Sequence, residues 1–196
     1  MMIQQKSSGG LHLIPSETKL LADRIVFLEG EIDADSANEF GREMLFLVHE
    51  DPEAPITVII NSEGGEVNSG LLVYDIIRTC GVPVRTVCTG KAFSMAAVIL
   101  ACGTMKRCAL PHAEILIHEP LLGNRISGST SSLKSISDSL LTIKRKMNAI
   151  LAELTGHSED EIDQATSYDH LLNAEEAREF GFIDEIIDFR NIAARR

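Results

Sequence analysis

Five short apolar runs recur along the chain, Val82 to Cys88 being rich in β-branched residues: Ile25 to Leu28, Ile56 to Ile60, Val82 to Cys88, Arg107 to Leu110 and Glu114 to Ile117. Segments with helical spacing separate them, most clearly at Ala37, Phe40, Met44, Phe46 and Leu47, and along Leu133, Ile136, Leu140, Ile143, Met147, Ile150 and Leu154. Strand-length runs alternating with helices predict an α/β layered fold. With 196 residues, 44% of them hydrophobic, the chain is long enough to bury one core. No Pro- or Ser-rich linker, internal repeat or low-complexity tract divides it, so it reads as a single domain.

The chemistry-bearing residues lie where these runs end. In Gly90-Lys91-Ala92-Phe93-Ser94-Met95-Ala96-Ala97 a strand turns into a hydrophobic helix that runs from Met95 to Cys102 and stops at Gly103. A serine in such a turn can project its hydroxyl above the sheet, with the Met95 N–H near the positive helix end to receive a developing oxyanion. Serine is also a favoured helix N-cap, and for Ser94 alone the cap is the simpler reading. In Asn61-Ser62-Glu63-Gly64-Gly65-Glu66 a strand meets paired glycines before a helix that begins near Val67. The amides of Gly64 or Gly65 are candidates for a second oxyanion donor or for holding an extended peptide; an ordinary turn is the alternative. Ala113 to Ile117 delivers His118 to a strand end just before Pro120. Imidazole is the usual general base for a serine hydroxyl, although a strand-end histidine can equally be structural or solvated.

The ordered set Asn61-Ser62-x-Gly64-Gly65, Ala92-x-Ser94-Met95-Ala96, Ile117-His118-x-Pro120, then Asp169 with Asn173-Ala174-Glu175-Glu176-Ala177 and Gly181-Phe182-Ile183-Asp184, closely resembles the proteolytic subunit of the Clp protease over about residues 23 to 187. The resemblance implies a serine endopeptidase of the crotonase-like fold, built from repeated β-β-α units with a protruding strand-helix handle at about 121–155. Residues 1–22 would be an N-terminal axial segment, 23–190 the peptidase domain and 191–196 a C-terminal tail. Ser94 matches the nucleophile, His118 the base, Asp169 the orienting carboxylate, and Gly65 and Met95 the oxyanion-hole amides. Gly64, Phe93 and Leu121 are candidates for the substrate groove. The resemblance also implies seven-membered rings stacked in pairs into a tetradecamer that receives polypeptide substrates from an AAA+ unfoldase. The choice of Asp169 rests on the resemblance alone, because spacing cannot single out one carboxylate among 29 Asp and Glu.

Some residues depart from the family pattern. Glu63 replaces a usual proline, Phe93 a usual small residue and Glu119 a common glutamine, and Leu11 to Pro15 lack the usual Tyr-Asp-Ile-Tyr pattern. They point to a divergent paralogue and raise two alternatives: a mixed ring with a second subunit of this kind, or a structural ring subunit with a misaligned triad. A crotonase-type acyl-CoA enzyme is a further alternative, but it has no need of Ser94, His118 and Asp169 together.

A net charge of −11 argues against nucleic-acid binding, which needs clustered cations. Lys144-Arg145-Lys146 reads as the exposed face of a helix. No apolar run approaches the roughly 20 residues that span a bilayer, and Gln4-Gln5-Lys6-Ser7-Ser8 is not a secretory segment, so the expected location is cytoplasmic. Cys80, Cys88, Cys102 and Cys108 lack metal-site spacing and are expected as buried thiols; no metal or cofactor is expected. No Gly-x-x-x-x-Gly-Lys-Ser/Thr loop is present, so ATP hydrolysis would be a partner's.

Overall fold

The computed structural model describes residues 1–7, 10–122 and 128–192. Strands β1 (Met2–Ser7) and β2 (Gly10–Pro15) form an antiparallel two-stranded sheet of their own, followed by α1 (Ser16–Ala22). The body comprises β3 (Ile25–Ile32), α2 (Ala34–Glu50), β4 (Ile56–Gly65), α3 (Val67–Thr79), β5 (Val84–Phe93), α4 (Met95–Ala101), β6 (Arg107–Ala109) and β7 (Glu114–Ile117). After these come α5 (Thr130–Thr155), α6 (Glu159–Thr166), β8 (His170–Asn173), α7 (Ala174–Phe180) and β9 (Glu185–Ile186).

Seven strands form one sheet in the order β3-β4-β5-β6-β9, with β7 branching from β5 and carrying β8. Every pairing in it is parallel except β7 with β8. The strand β5 changes partner along its length: Thr86 to Cys88 pair with β6, Lys91 to Phe93 with β7. Successive side chains on a strand face opposite ways. Val58, Ile60, Val84, Cys88, Ala92, Ile115 and Ile117 therefore enter the main core, while Ile59 and Val87 join a smaller cluster with Cys108 and Ile187.

Two strands are longer than their apolar runs. β4 continues through the paired glycines, which pair with Glu31 and Ile32 of β3 beyond a bulge, and β5 continues through Gly90 to Phe93. A strand flanked on both sides keeps its ladder after hydrophobic patterning has stopped. In α2, Ala37, Phe40, Met44 and Leu47 are buried, but Phe46 falls off that stripe and is half exposed. In α5 only Met147, Asn148 and Leu151 are buried; of the expected stripe Ile143, Ile150 and Leu154 pack against the core, whereas Leu133 is exposed and Ile136 and Leu140 are only partly covered. Of the expected strand beside the cleft, residues 123–127 lie outside the described residues, and 121–122 and 128–129 form no strand.

Among the described residues no helix is long and apolar enough to cross a membrane. Cys88, Cys102 and Cys108 are buried as expected, but Cys80 is only partly covered. Desolvation pushes the Cys88 and Cys102 thiols up to about 12. Because the thiolate is the reactive form, an alkylating reagent at neutral pH should modify Cys80 first and leave Cys88 and Cys102 untouched until unfolding. Mass spectrometry of the native and denatured protein reads this directly.

Candidate active site

Strands β4, β5 and β7 end at one edge of the sheet, where antiparallel β8 begins, and their register gathers the candidate residues there. Ser62 of β4 pairs with Ala92 of β5, and Phe93 pairs with Leu116 of β7. Ile117 of β7 pairs with His170 of antiparallel β8. Continuing each register past the last paired residue aligns Gly64 with Ser94 and His118 with Asp169. The carboxyl ends of parallel strands are where open α/β sheets place their ligand sites.

Ser94 sits between β5 and α4 with φ 55 and ψ −121, one of two non-glycine residues of positive φ among those described. This is a conformation that costs an L-residue roughly 1–3 kcal/mol and is held by its surroundings. Its N–H donates to Leu116 O at 2.7 Å, tying the turn to β7. Ser94 occupies the N-cap position, yet its side chain makes no capping hydrogen bond. The hydroxyl is thus not committed to the helix.

Gly64 has φ +87 and lies against this turn: a Cβ there would come within 2.4 Å of Phe93 O, 2.9 Å of Ser94 Cβ and 3.1 Å of Met95 N. Only glycine permits that approach. At Gly65 a Cβ would lie 2.1 Å from Ile32 O. The Gly64 N–H already donates to Ser62 Oγ at 3.0 Å, and that hydroxyl donates onward to Gly30 O at 2.5 Å. Gly64 is therefore spent on structure, which separates it from Gly65 as an oxyanion candidate. Ser62, fully buried, props up the glycine turn; sequence reasoning gave it no role, and its only signal was a polar residue at a core position of the strand.

His118 follows β7. Its Nδ1 is buried, takes no hydrogen bond among the described residues and lies 3.7 Å from Asp169 Oδ1. That distance exceeds the 2.7–3.2 Å hydrogen-bond range, so the pair is aligned but open. The imidazole is 17% exposed and the carboxylate 76%, so the two meet at the boundary between protein and solvent. Asp169 also borders an open groove of about 550 Å³, lined in addition by His157, Glu161, Tyr168 and Phe180. The carboxylate of Glu119 pairs with Lys144 at 2.9 Å. The expectation that Lys144 is simply part of an exposed basic face is corrected by this pairing.

At the other side of the turn, Lys91 bridges β4 and β5: its Nζ pairs with Glu63 at 3.2 Å and its N–H donates to Asn61 Oδ1. The Glu63 backbone amide and Lys91 together hold the Glu63 carboxyl below its usual range. Phe93 lies on the face of β5 opposite the core residue Ala92 and is partly exposed. Phe93→Ala should therefore cost about 1–2 kcal/mol rather than the roughly 3–5 of a fully buried ring. Denaturant unfolding with a small-to-large peptide series tests this; a change of rate confined to bulky substrates would place the ring in the groove. Leu121 is strongly exposed just beyond Pro120. Asn173 caps α7 in a reciprocal box with Glu176, anchoring the end of β8, and Asn173→Ala should cost about 1 kcal/mol by the same measurement.

A strand-end serine of strained backbone, a histidine and a carboxylate on neighbouring strands, and a glycine turn pressed against the serine can support acyl transfer. A family model described as Clp protease matches residues 8–190. With nearly the whole chain covered, this protein belongs to the Clp protease family.

Proposed function

We propose that the chain is a serine endopeptidase subunit in which Ser94, His118 and Asp169 form the catalytic triad. His118 takes the Ser94 proton during attack on a peptide carbonyl and returns it to the leaving amine. Asp169 holds the proton on Nδ1 and stabilises the imidazolium. The amides of Gly65 and Met95 receive the oxyanion, with Gly64 shaping the turn and Phe93 and Leu121 bordering the bound polypeptide. The observation that carries this reading is the register of β7 and β8, which continues to set His118 opposite Asp169, with Ser94 following the adjacent strand β5.

In this reading the fold is the crotonase-like repeat of β-β-α units, residues 1–22 are axial, 191–196 form a tail, and α5 belongs to a handle. Seven copies close a ring and two rings stack, enclosing the sites away from folded proteins. The exposed Leu133 and Leu141 on α5, and Leu45 and Phe46 on α2, support burial between copies. An AAA+ unfoldase supplies the substrate in the cytoplasm.

The 3.7 Å gap between His118 and Asp169 favours one second reading, a ring subunit whose triad stays misaligned beside an active partner subunit. A fluorophosphonate probe separates the two. Labelling at Ser94 in the purified assembly supports the peptidase; an intact assembly that does not label supports the structural subunit.

A further inference from the structure

Lys144 on α5 is only 22% exposed, and its ammonium makes two ion pairs at once, 2.9 Å to Glu119 Oε2 and 2.9 Å to Asp163 Oδ1. Glu119 directly follows His118, and its N–H donates to Thr166 O at 2.8 Å. Asp163 belongs to α6, which ends at Thr166, three residues before Asp169. The same Oδ1 accepts a hydrogen bond of 2.9 Å from Asn148, another residue of α5. Hydrogen bonds to Glu119 and Asp163 push the Lys144 ammonium above the ordinary lysine range, and those from Lys144 and Asn148 hold Asp163 below the carboxylate range. Lys144 and Asp163 are therefore charged at neutral pH.

We propose that Lys144 is a positioning residue that sets the separation of His118 and Asp169. This rests on the peptidase reading above. The β7–β8 ladder fixes the two chains only as far as Ile117 and His170. Beyond it the Glu119 N–H to Thr166 O hydrogen bond keeps the His118 segment in contact with the chain that leads to Asp169, and the spacing of the two side chains follows from how the segments on either side of that bond are anchored. One ammonium anchors both. An isolated surface ion pair would contribute little, but here removal of the cation leaves two carboxylates facing each other, and their repulsion drives the two segments apart.

The experiment measures kcat and KM on a short fluorogenic peptide, with native mass as a control, for the assembled full chain. Lys144→Met should lower kcat about 10- to 100-fold by misaligning the imidazole, with KM changed less than about twofold. Lys144→Arg, which keeps both ion pairs, should stay within about threefold of the unmodified chain. Adding Glu119→Gln to Lys144→Met removes the repulsion and should recover at least about fivefold in kcat, a coupling that distant sites do not show. Should Lys144→Met fail to assemble, Asp163→Asn takes its place, with a smaller kcat loss at constant KM. An unchanged kcat in Lys144→Met or its substitute, a loss shared equally with KM, or an arginine variant no better than methionine overturns the positioning role while Ser94-dependent turnover leaves the peptidase reading standing. An unmodified assembly with no Ser94-dependent turnover overturns both.

Discussion

Ser94→Ala is expected to lower peptide turnover by about 10⁴-fold or more while leaving the assembly intact, because a triad nucleophile acts as part of a unit. The stability result is as diagnostic as the rate. A serine that caps a helix through its side chain costs about 1 kcal/mol when replaced by alanine. Ser94 makes no such bond, and alanine has to adopt the same positive φ, so the change should stay within about 0.5 kcal/mol. Loss of activity without loss of stability identifies a presented nucleophile; the reverse pattern identifies a cap and removes the catalytic assignment. Turnover of a short peptide and denaturant unfolding of the same preparation supply both numbers.

Asp169→Asn should be the next most damaging change, lowering kcat/KM by about 10³- to 10⁴-fold, and it should be worse than Asp169→Ala. Nδ1 of His118 is buried with no hydrogen bond among the described residues, 3.7 Å from the carboxylate. An asparagine amide can turn its NH2 toward that nitrogen. It then fixes the ring proton on Nε2, where a base acting on Ser94 needs a lone pair. Alanine only removes the anchor, which leaves the productive tautomer available part of the time. An asparagine variant as active as the unmodified chain, or more active than the alanine variant, would show that Asp169 does not orient the ring.

Much of the candidate site was legible because its residues stand at recognisable places in the local pattern. Ser94 stands between a β-branched run and a hydrophobic helix, Gly64 and Gly65 end another run, and His118 closes a third. The layered α/β class followed from the same alternation. What misled was local too. Lys144 sits in a run of three basic residues, and nothing about neighbouring residues reveals that two carboxylates from other elements converge on it. Phe46 kept company with a genuine apolar stripe but points off it, since one residue along a helix turns the side chain by about 100°.

The sequence by itself determined which residue types stand at the strand ends, and therefore the chemistry available: a hydroxyl, an imidazole and closely packed glycines. It did not determine the carboxylate. β8, only four residues long, has no run of its own to mark it, and it exists because β7 offers a free edge for antiparallel pairing. That register, in which Ile117 meets His170, carries Asp169 opposite His118. Likewise the 3.7 Å gap between His118 and Asp169 is a tertiary distance. Composition and periodicity fix what a segment can become, whereas a distance between segments about fifty residues apart is set by long-range pairing, which no local pattern encodes.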